Sequence, residues 1–255
     1  MNEVRRFAVA GSTGRVGRHV VDVLRTAGHE VVPISRSSGV DVITREGLEA
    51  ALAGVACVID TATGPSPEQG PATEFFTTAA RNLQETGTRA GVQHIVTVSI
   101  IGCERFSGGY GAAKIAHEEA ALAGPLPASV LRAAQFHEFV EQLVGWGRQG
   151  DVSHVPRMRT QLVAARTVAE ALVGLAEDAS ETSPTLVPQI AGPREERLAE
   201  MARLLVARRG DAVAIEEVSN PADPDTEVFE SGGLLPDPHA TLAGPTFAEW
   251  LDETP

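Results

Sequence analysis

Lysine is almost absent from this 255-residue sequence: of 21 basic residues, all but Lys114 are arginine. Tyrosine is as rare, with Tyr110 alone, and aromatic residues make up only 4% of the chain. A core must therefore come from Val, Leu, Ile and Ala. Two cysteines, Cys57 and Cys103, make no disulfide framework, and no zinc-type spacing is present, so no metal is expected. No apolar run is long enough to span a bilayer. Met1 to Arg6 is polar and the apolar run after it is short, which is not a signal-peptide pattern. The expected compartment is the cytoplasm. Positive charge is in deficit, with a net charge of −13. That argues against nucleic acid or an anionic membrane as partner. A small molecule is the expected partner, and the protein itself a monomer or homodimer.

What is present begins at the N-terminus. Phe7 to Ala10 is an apolar run of the kind that forms a buried strand. Gly11-Ser12-Thr13-Gly14-Arg15-Val16-Gly17 follows, and then Val16, Val20, Val21 and Leu24 recur at helical spacing. Strand, glycine turn and helix in that order aim free N–H groups and the positive helix end at one point, where a diphosphate can sit. Gly11 permits the sharp turn, Gly14 removes a side chain from the phosphate position, and Gly17 lets the helix lie close to the strand. The spacing is G-x-x-G-x-x-G.

Val31 to Ser35 reads as a second strand, with Arg36 just past its end. In a dinucleotide fold this position lies beside the adenosine ribose, where a carboxylate selects NAD and an arginine suits a 2′-phosphate. No acidic residue occurs between Val31 and Val40, so NADP(H) is expected over NAD(H). Asp41 stands either beside the adenine amino group or as a cap on the following helix region. Thr44 to Ala53 predicts a short helix capped by Thr44, and Val55 to Asp60 a third strand. Thr61, Ala62, Thr63 and Gly64 then supply small residues on the rim of the first glycine turn. Ala72 to Ala90 predicts a long helix, and Gln93 to Ser99 a fourth strand.

Tyr110 precedes Lys114 by four residues on the next predicted helix, so both side chains share one face. An ammonium beside a phenol favours the phenolate and lowers its pKa from about 10. Such a phenol exchanges protons with a carbonyl or alcohol, and the ammonium can hold the nicotinamide ribose. Further on, Ser129 to Arg132 reads as a fifth strand, Gln135 to Trp146 as a helix, Gln161 to Ala165 as a short strand, and Thr167 to Glu177 as a helix. Thr185 to Ala191 reads as a sixth parallel strand, Arg194 to Arg209 as a helix, Ala212 to Val218 as a strand, and Thr246 to Leu251 as a last helix. Asn220 to His239 is rich in Pro, Asp and Gly and has no period. The alternation predicts an α/β fold: a Rossmann-like, doubly wound parallel sheet.

Gly11, Gly14 and Gly17, then Thr61-Ala62, then Tyr110-x-x-x-Lys114, in this order, resemble the atypical or extended short-chain dehydrogenase/reductases, and among them the nitrogen-regulator-like NAD(P)-binding branch. The resemblance implies that Leu131 to Phe136 borders the nicotinamide, with Ala133 and Ala134 against the cofactor. It implies a catalytic serine near the end of the fourth strand. Ile100 stands at that place and Ser99 one residue earlier, on the opposite strand face. Cys103 and Ser107 on the following loop are alternatives. Ser99, Phe106, Phe136 and His137 are candidates for a substrate pocket, although a histidine among apolar residues is also an ordinary core residue. Arg157 and Arg159 are expected to face water.

The domain expectation is a dinucleotide-binding part from residue 1 to 131. Residues 132 to 255 would complete the sheet and form a small C-terminal substrate lobe. The functional expectation is an NAD(P)H-dependent oxidoreductase acting on a small carbonyl or quinone-like substrate. Tyr110 would be the proton donor and Lys114 would hold the ribose. The alternatives are a non-catalytic NADP-sensing regulator and an epimerase or lyase that retains its cofactor.

Overall fold

The computed structural model describes residues 3–178 and 187–253. Its strands are β1 (Arg6–Ala10), β2 (Glu30–Ile34), β3 (Cys57–Asp60), β4 (His94–Ile100), β5 (Ala128–Ala133), β6 (Arg148–Gln149), β7 (Val152–Pro156), β8 (Arg159–Thr160), β9 (Gln189–Ala191), β10 (Glu196–Arg197), β11 (Ala214–Val218) and β12 (Thr241–Leu242). Its helices are α1 (Gly17–Thr26), α2 (Leu48–Leu52), α3 (Gln69–Ala90), α4 (Gly109–Leu122), α5 (His137–Trp146), α6 (Ala165–Glu177), α7 (Leu198–Arg209), α8 (Thr226–Glu230) and α9 (Phe247–Glu253). Seven strands form a parallel sheet in the order β12-β9-β5-β4-β3-β1-β2. This is the Rossmann-like α/β architecture expected from the alternation of strands and helices.

The order reverses at β1. From β1 the chain runs outward to β2, then returns to lay β3 on the other side of β1, pairing Ala8 with Val32 on one edge and with Val58 on the other. A crevice opens beyond the carboxyl ends of strands at such a reversal, and it is the default ligand site of open α/β sheets. Phe7 to Ala10 and Cys57 to Asp60 are fully buried, as strands covered on both faces must be. Val20, Val21 and Leu24 form the buried face of α1, and Gly28 at φ +86° ends it.

Contacts divide the chain into two units. One comprises residues 1–99, 108–132 and 168–188, and the other residues 100–107, 133–167 and 189–255. The chain thus crosses between units at Arg132–Ala133, beside the expected boundary, and at four further points. In the first unit Ala8, Ala10, Ile34, Val58 and Ile95 of the sheet pack with Leu48 and Leu52 of α2 and Leu83 of α3. In the second, Val140 of α5, Leu198, Ala202 and Leu205 of α7 and Phe247 of α9 surround Val155, Met158 and Leu162.

Several boundaries differ from the sequence reading. The helix expected over 44–53 is confined to Leu48–Leu52, because Arg45 (φ +68°) and Gly47 (φ +68°) interrupt it, and Gly47 rather than Thr44 occupies the cap position. Gln161 to Ala165 is not a strand: only a single bridge, Phe136 to Val163, forms there, and α6 begins at Ala165. Of the strand expected over 185–191, Gln189–Ala191 is formed, and residues 185 and 186 lie outside the described residues. β11 does not join the large sheet. It pairs in parallel with β7, which also forms an unanticipated hairpin with β6. Arg157 and Arg159 are half-exposed, but each pairs with carboxylates, Glu217 and Glu230 for the first and Glu195 for the second. No helix among the described residues is long and apolar enough to cross a membrane.

Candidate active site

The glycine turn leaves the carboxyl end of β1. The N–H groups of Gly11 and Ser12 donate to the Ile34 carbonyl oxygen at 3.0 and 3.3 Å, and the Ser12 hydroxyl donates to the same oxygen. This ties the turn to the end of β2. Within it Gly14 N–H donates to Gly11 O at 2.8 Å, and Arg18 N–H to Gly14 O at 3.2 Å. The N–H groups of Thr13, Val16 and Gly17 find no backbone acceptor among the described residues. Thr13 and Gly14 are exposed while Ser12, Val16 and Gly17 are buried, so the crest of the turn is open. Gly11 sits at φ +73°, and a Cβ there would lie 2.6 Å from Thr61 O. A Cβ on Gly17 would lie 2.1 Å from Gly11 O, but one on Gly14 would meet nothing nearer than 3.1 Å. Gly11 and Gly17 are therefore demanded by the fold itself. Gly14 is not.

The segment after β3 closes the other side of this crevice. Thr61 N–H and Oγ1–H both donate to Ala10 O, at 3.0 and 2.7 Å. That pins Thr61 and Ala62 against the turn. Thr63 is exposed. Arg36 opens a short 3₁₀ turn held by a reciprocal hydrogen bond between Ser35 and Ser38. Its side chain is exposed and has no hydrogen-bond or ion-pair partner among the described residues. Asp41 Oδ1 accepts from Ile43 N–H at 2.6 Å and Thr44 N–H at 3.2 Å.

Tyr110 and Lys114 lie on the first turns of α4. Lys114 is 4% exposed, and its Nζ donates to the Val98 carbonyl oxygen of β4 at 2.8 Å. Nζ also stands 2.8 Å from His117 Nδ1 and 4.5 Å above the centre of the Phe76 ring. His117 Nε2 in turn stands 3.1 Å from Asp60 Oδ2, at the end of β3. Asp60 Oδ1 accepts from Ala62 N–H. The tautomer follows from its neighbours: Nδ1 accepts from the ammonium and Nε2–H donates to the carboxylate. Burial and then the Lys114 charge push the His117 pKa down, against Asp60, so the ring is neutral.

The Tyr110 phenol is not lowered as its spacing from Lys114 led us to expect. Burial raises it above its usual range, opposed by a hydrogen bond with the Thr63 side chain, while the lysine ammonium is anchored at Val98 and His117. The phenol ring packs edge-on against Phe76, with centroids 5.7 Å apart. Ser99 is buried in β4, and Ile100 beside it is half-buried.

The remaining candidates belong to the second unit and pack there. Ala133 and Ala134 are buried at the end of β5. Phe106 meets Phe229 edge-on. Phe136 precedes α5, and His137, 1% exposed, is enclosed by Phe247 and Trp250, with its Nε2 on Pro245 O at 3.1 Å. Sequence reasoning passed over Asp60, His117 and Phe76. Two signals marked them: a carboxylate closing an apolar strand, and a histidine three residues beyond the only lysine.

No protein-family model matches the chain, and no curated protein matches it. Solved structures do. MoeE5 in complex with UDP-glucose and NAD superposes with a TM-score of 0.72 at 19% identity, covering 97% of this chain and 96% of its own. A short-chain dehydrogenase/reductase superfamily protein from Agrobacterium tumefaciens with bound NAD gives 0.70 at 18%, covering 98% and 95%. UDP-N-acetylglucosamine 4-epimerase from Bacillus cereus gives 0.68 at 18%, covering 98% and 94%. The likeness is one of fold, the Rossmann-like parallel α/β sheet described above.

Proposed function

We propose that the chain is an NADP(H)-dependent oxidoreductase that reduces a small carbonyl or quinone-like substrate. One observation carries this reading. The only tyrosine and the only lysine stand together on α4, with the lysine bound to the end of β4, in the unit that also holds the glycine turn. The residues fit a dinucleotide. Thr13 and Gly14 form an open crest, Thr61 and Ala62 wall the crevice, and Gly11, Ser12, Arg15, Val16 and Gly17 form the cradle. Arg36, exposed beyond β2, is placed to meet a 2′-phosphate as a charge-assisted hydrogen-bond donor.

A nicotinamide cofactor bound there would supply hydride. The chain's own work is positional and protonic. Tyr110 keeps its proton through neutral pH and gives it to the substrate oxygen. Lys114, held by Val98 O and His117, presents its charge to the ribose hydroxyls. The cytoplasm is the compartment such chemistry calls for.

A second reading is favoured by the resemblance to the Bacillus cereus epimerase: a cofactor-retaining epimerase or lyase, which uses the same Tyr–Lys pair reversibly. The test is a panel of quinones, enones and ketones followed by loss of NADPH absorbance. Turnover with any of them supports the reductase. Nucleotide that survives gel filtration, with no turnover of the panel, supports the epimerase. Binding without either supports a sensor, for which Ile100 in place of serine is the feature in favour.

A further inference from the structure

Beside Lys114 lie buried titratable side chains that the proposed chemistry does not already use. Asp60 and His117 are each 1% exposed and Lys114 is 4% exposed. They come from two elements, the end of β3 and the second turn of α4, and are joined in series by contacts of 3.1 and 2.8 Å. Phe76 of α3 completes the enclosure. Its ring lies parallel to His117, at 17° and 4.6 Å between centroids, and under the lysine ammonium. The other charged group near His117 is Glu118, which is held by Arg132 through paired contacts of 3.0 and 2.8 Å. Asp60 is the carboxylate bonded to His117, whose other ring nitrogen faces the Lys114 ammonium.

We propose that Asp60 and His117 are positioning residues, which hold the Lys114 ammonium in a buried carboxylate–imidazole–ammonium chain so that it faces a nicotinamide nucleotide. The inference rests on the reading of Lys114 given above. Two alternatives are decided by the geometry. A proton conduit needs an end in water, and both Asp60 and His117 are sealed from solvent. A direct Asp–Lys pair would draw the ammonium toward β3. The interposed imidazole instead lets the negative charge act at one remove, while Val98 O fixes the ammonium against β4. A long, flexible side chain is thereby reduced to one conformation, with its ordering cost met before nucleotide arrives.

The test uses the full chain. In ¹⁵N-histidine NMR of the unmodified protein at neutral pH, His117 should be neutral with its proton on Nε2. A proton on Nδ1, or a doubly protonated ring, overturns the chain whether or not nucleotide binds. His117→Leu should weaken binding of NADPH or NADH, whichever the wild type prefers, by about tenfold. His117→Gln, whose amide can still accept from Lys114 and donate to Asp60, should stay within about threefold of wild type. A purely structural histidine would lose thermal stability in both variants without that split in affinity. Equal losses, or an unchanged affinity in His117→Leu, overturn the proposal. Where the leucine variant does not fold, wild-type NMR and the glutamine variant decide. Failure of the wild-type protein to bind either nucleotide refutes the proposed function instead.

Discussion

A methyl group on Gly17 would stand 2.1 Å from the carbonyl oxygen of Gly11, well inside any real contact. Gly14, three residues earlier, has only that same oxygen near it, at 3.1 Å, and is exposed. The glycines of one motif therefore do different work, and substitution separates them. Gly17→Ala should cost about 2 kcal/mol or more by overpacking, seen as a lower thermal midpoint. Gly14→Val should fold with a midpoint close to wild type and fail to bind dinucleotide. Full-strength binding by the Gly14 variant in a calorimetric titration would remove the turn from the cofactor site.

The only tyrosine makes a clean titration. Burial raises the Tyr110 phenol above its ordinary 10.0, and Thr63 only partly offsets this. In the protein without nucleotide, tyrosinate absorbance should therefore appear above pH 10. A midpoint below 10 would restore the sequence-based expectation that the lysine dominates. Tyr110→Phe should abolish turnover of any substrate the panel reveals while changing nucleotide affinity less than about threefold, since a lost transition-state interaction lowers kcat and leaves binding in place.

Much of this was legible in the residues. Phe7 to Ala10 and Val55 to Asp60 read as buried strands because continuous apolar runs mean burial on both faces, and the glycine turn lay between a strand and a helix by its own pattern. The pair Tyr110 and Lys114 stood out by scarcity. The sign of the phenol's shift was not legible. Spacing on a helix shows that two side chains share a face, but not that the ammonium is held by a carbonyl of β4 and a histidine one turn on. Asp60 and Lys114 lie far apart in sequence, and only the sheet brings them to one place. The β6–β7 hairpin, with two residues in its first strand, is too short for a period to show.

We propose that Arg36 decides between nucleotides. It is exposed at the end of β2, and the Ser35–Ser38 turn that carries it is rigid through its reciprocal hydrogen bonds. Loss of a charge-assisted contact to phosphate costs about 2 kcal/mol. Arg36→Ala should therefore weaken NADPH binding by about thirtyfold and leave NADH within about threefold. Equal losses for the two nucleotides would refute the 2′-phosphate role and leave NAD(H), the cofactor named with the MoeE5 and Agrobacterium structures, as the better reading.

His137 supplies the pH prediction. Enclosed by Phe247 and Trp250 and bonded only through Nε2 to Pro245 O, it is pushed down from 6.5 to about 4 by burial. The unfolded chain protonates this ring near 6.5, and the folded one resists until about 4, so the unfolded state binds more protons between those values. Its contribution to stability is complete above about pH 6.5 and is lost progressively as pH falls toward 4, amounting to about 3 kcal/mol. His137→Phe keeps the aromatic packing and removes the titration. Urea unfolding of wild type and variant at pH 7 and near pH 4 should show the wild type losing about 3 kcal/mol more than the variant over that interval. The same loss in both proteins would mean that the ring is already charged in the fold, and that its aromatic enclosure admits water.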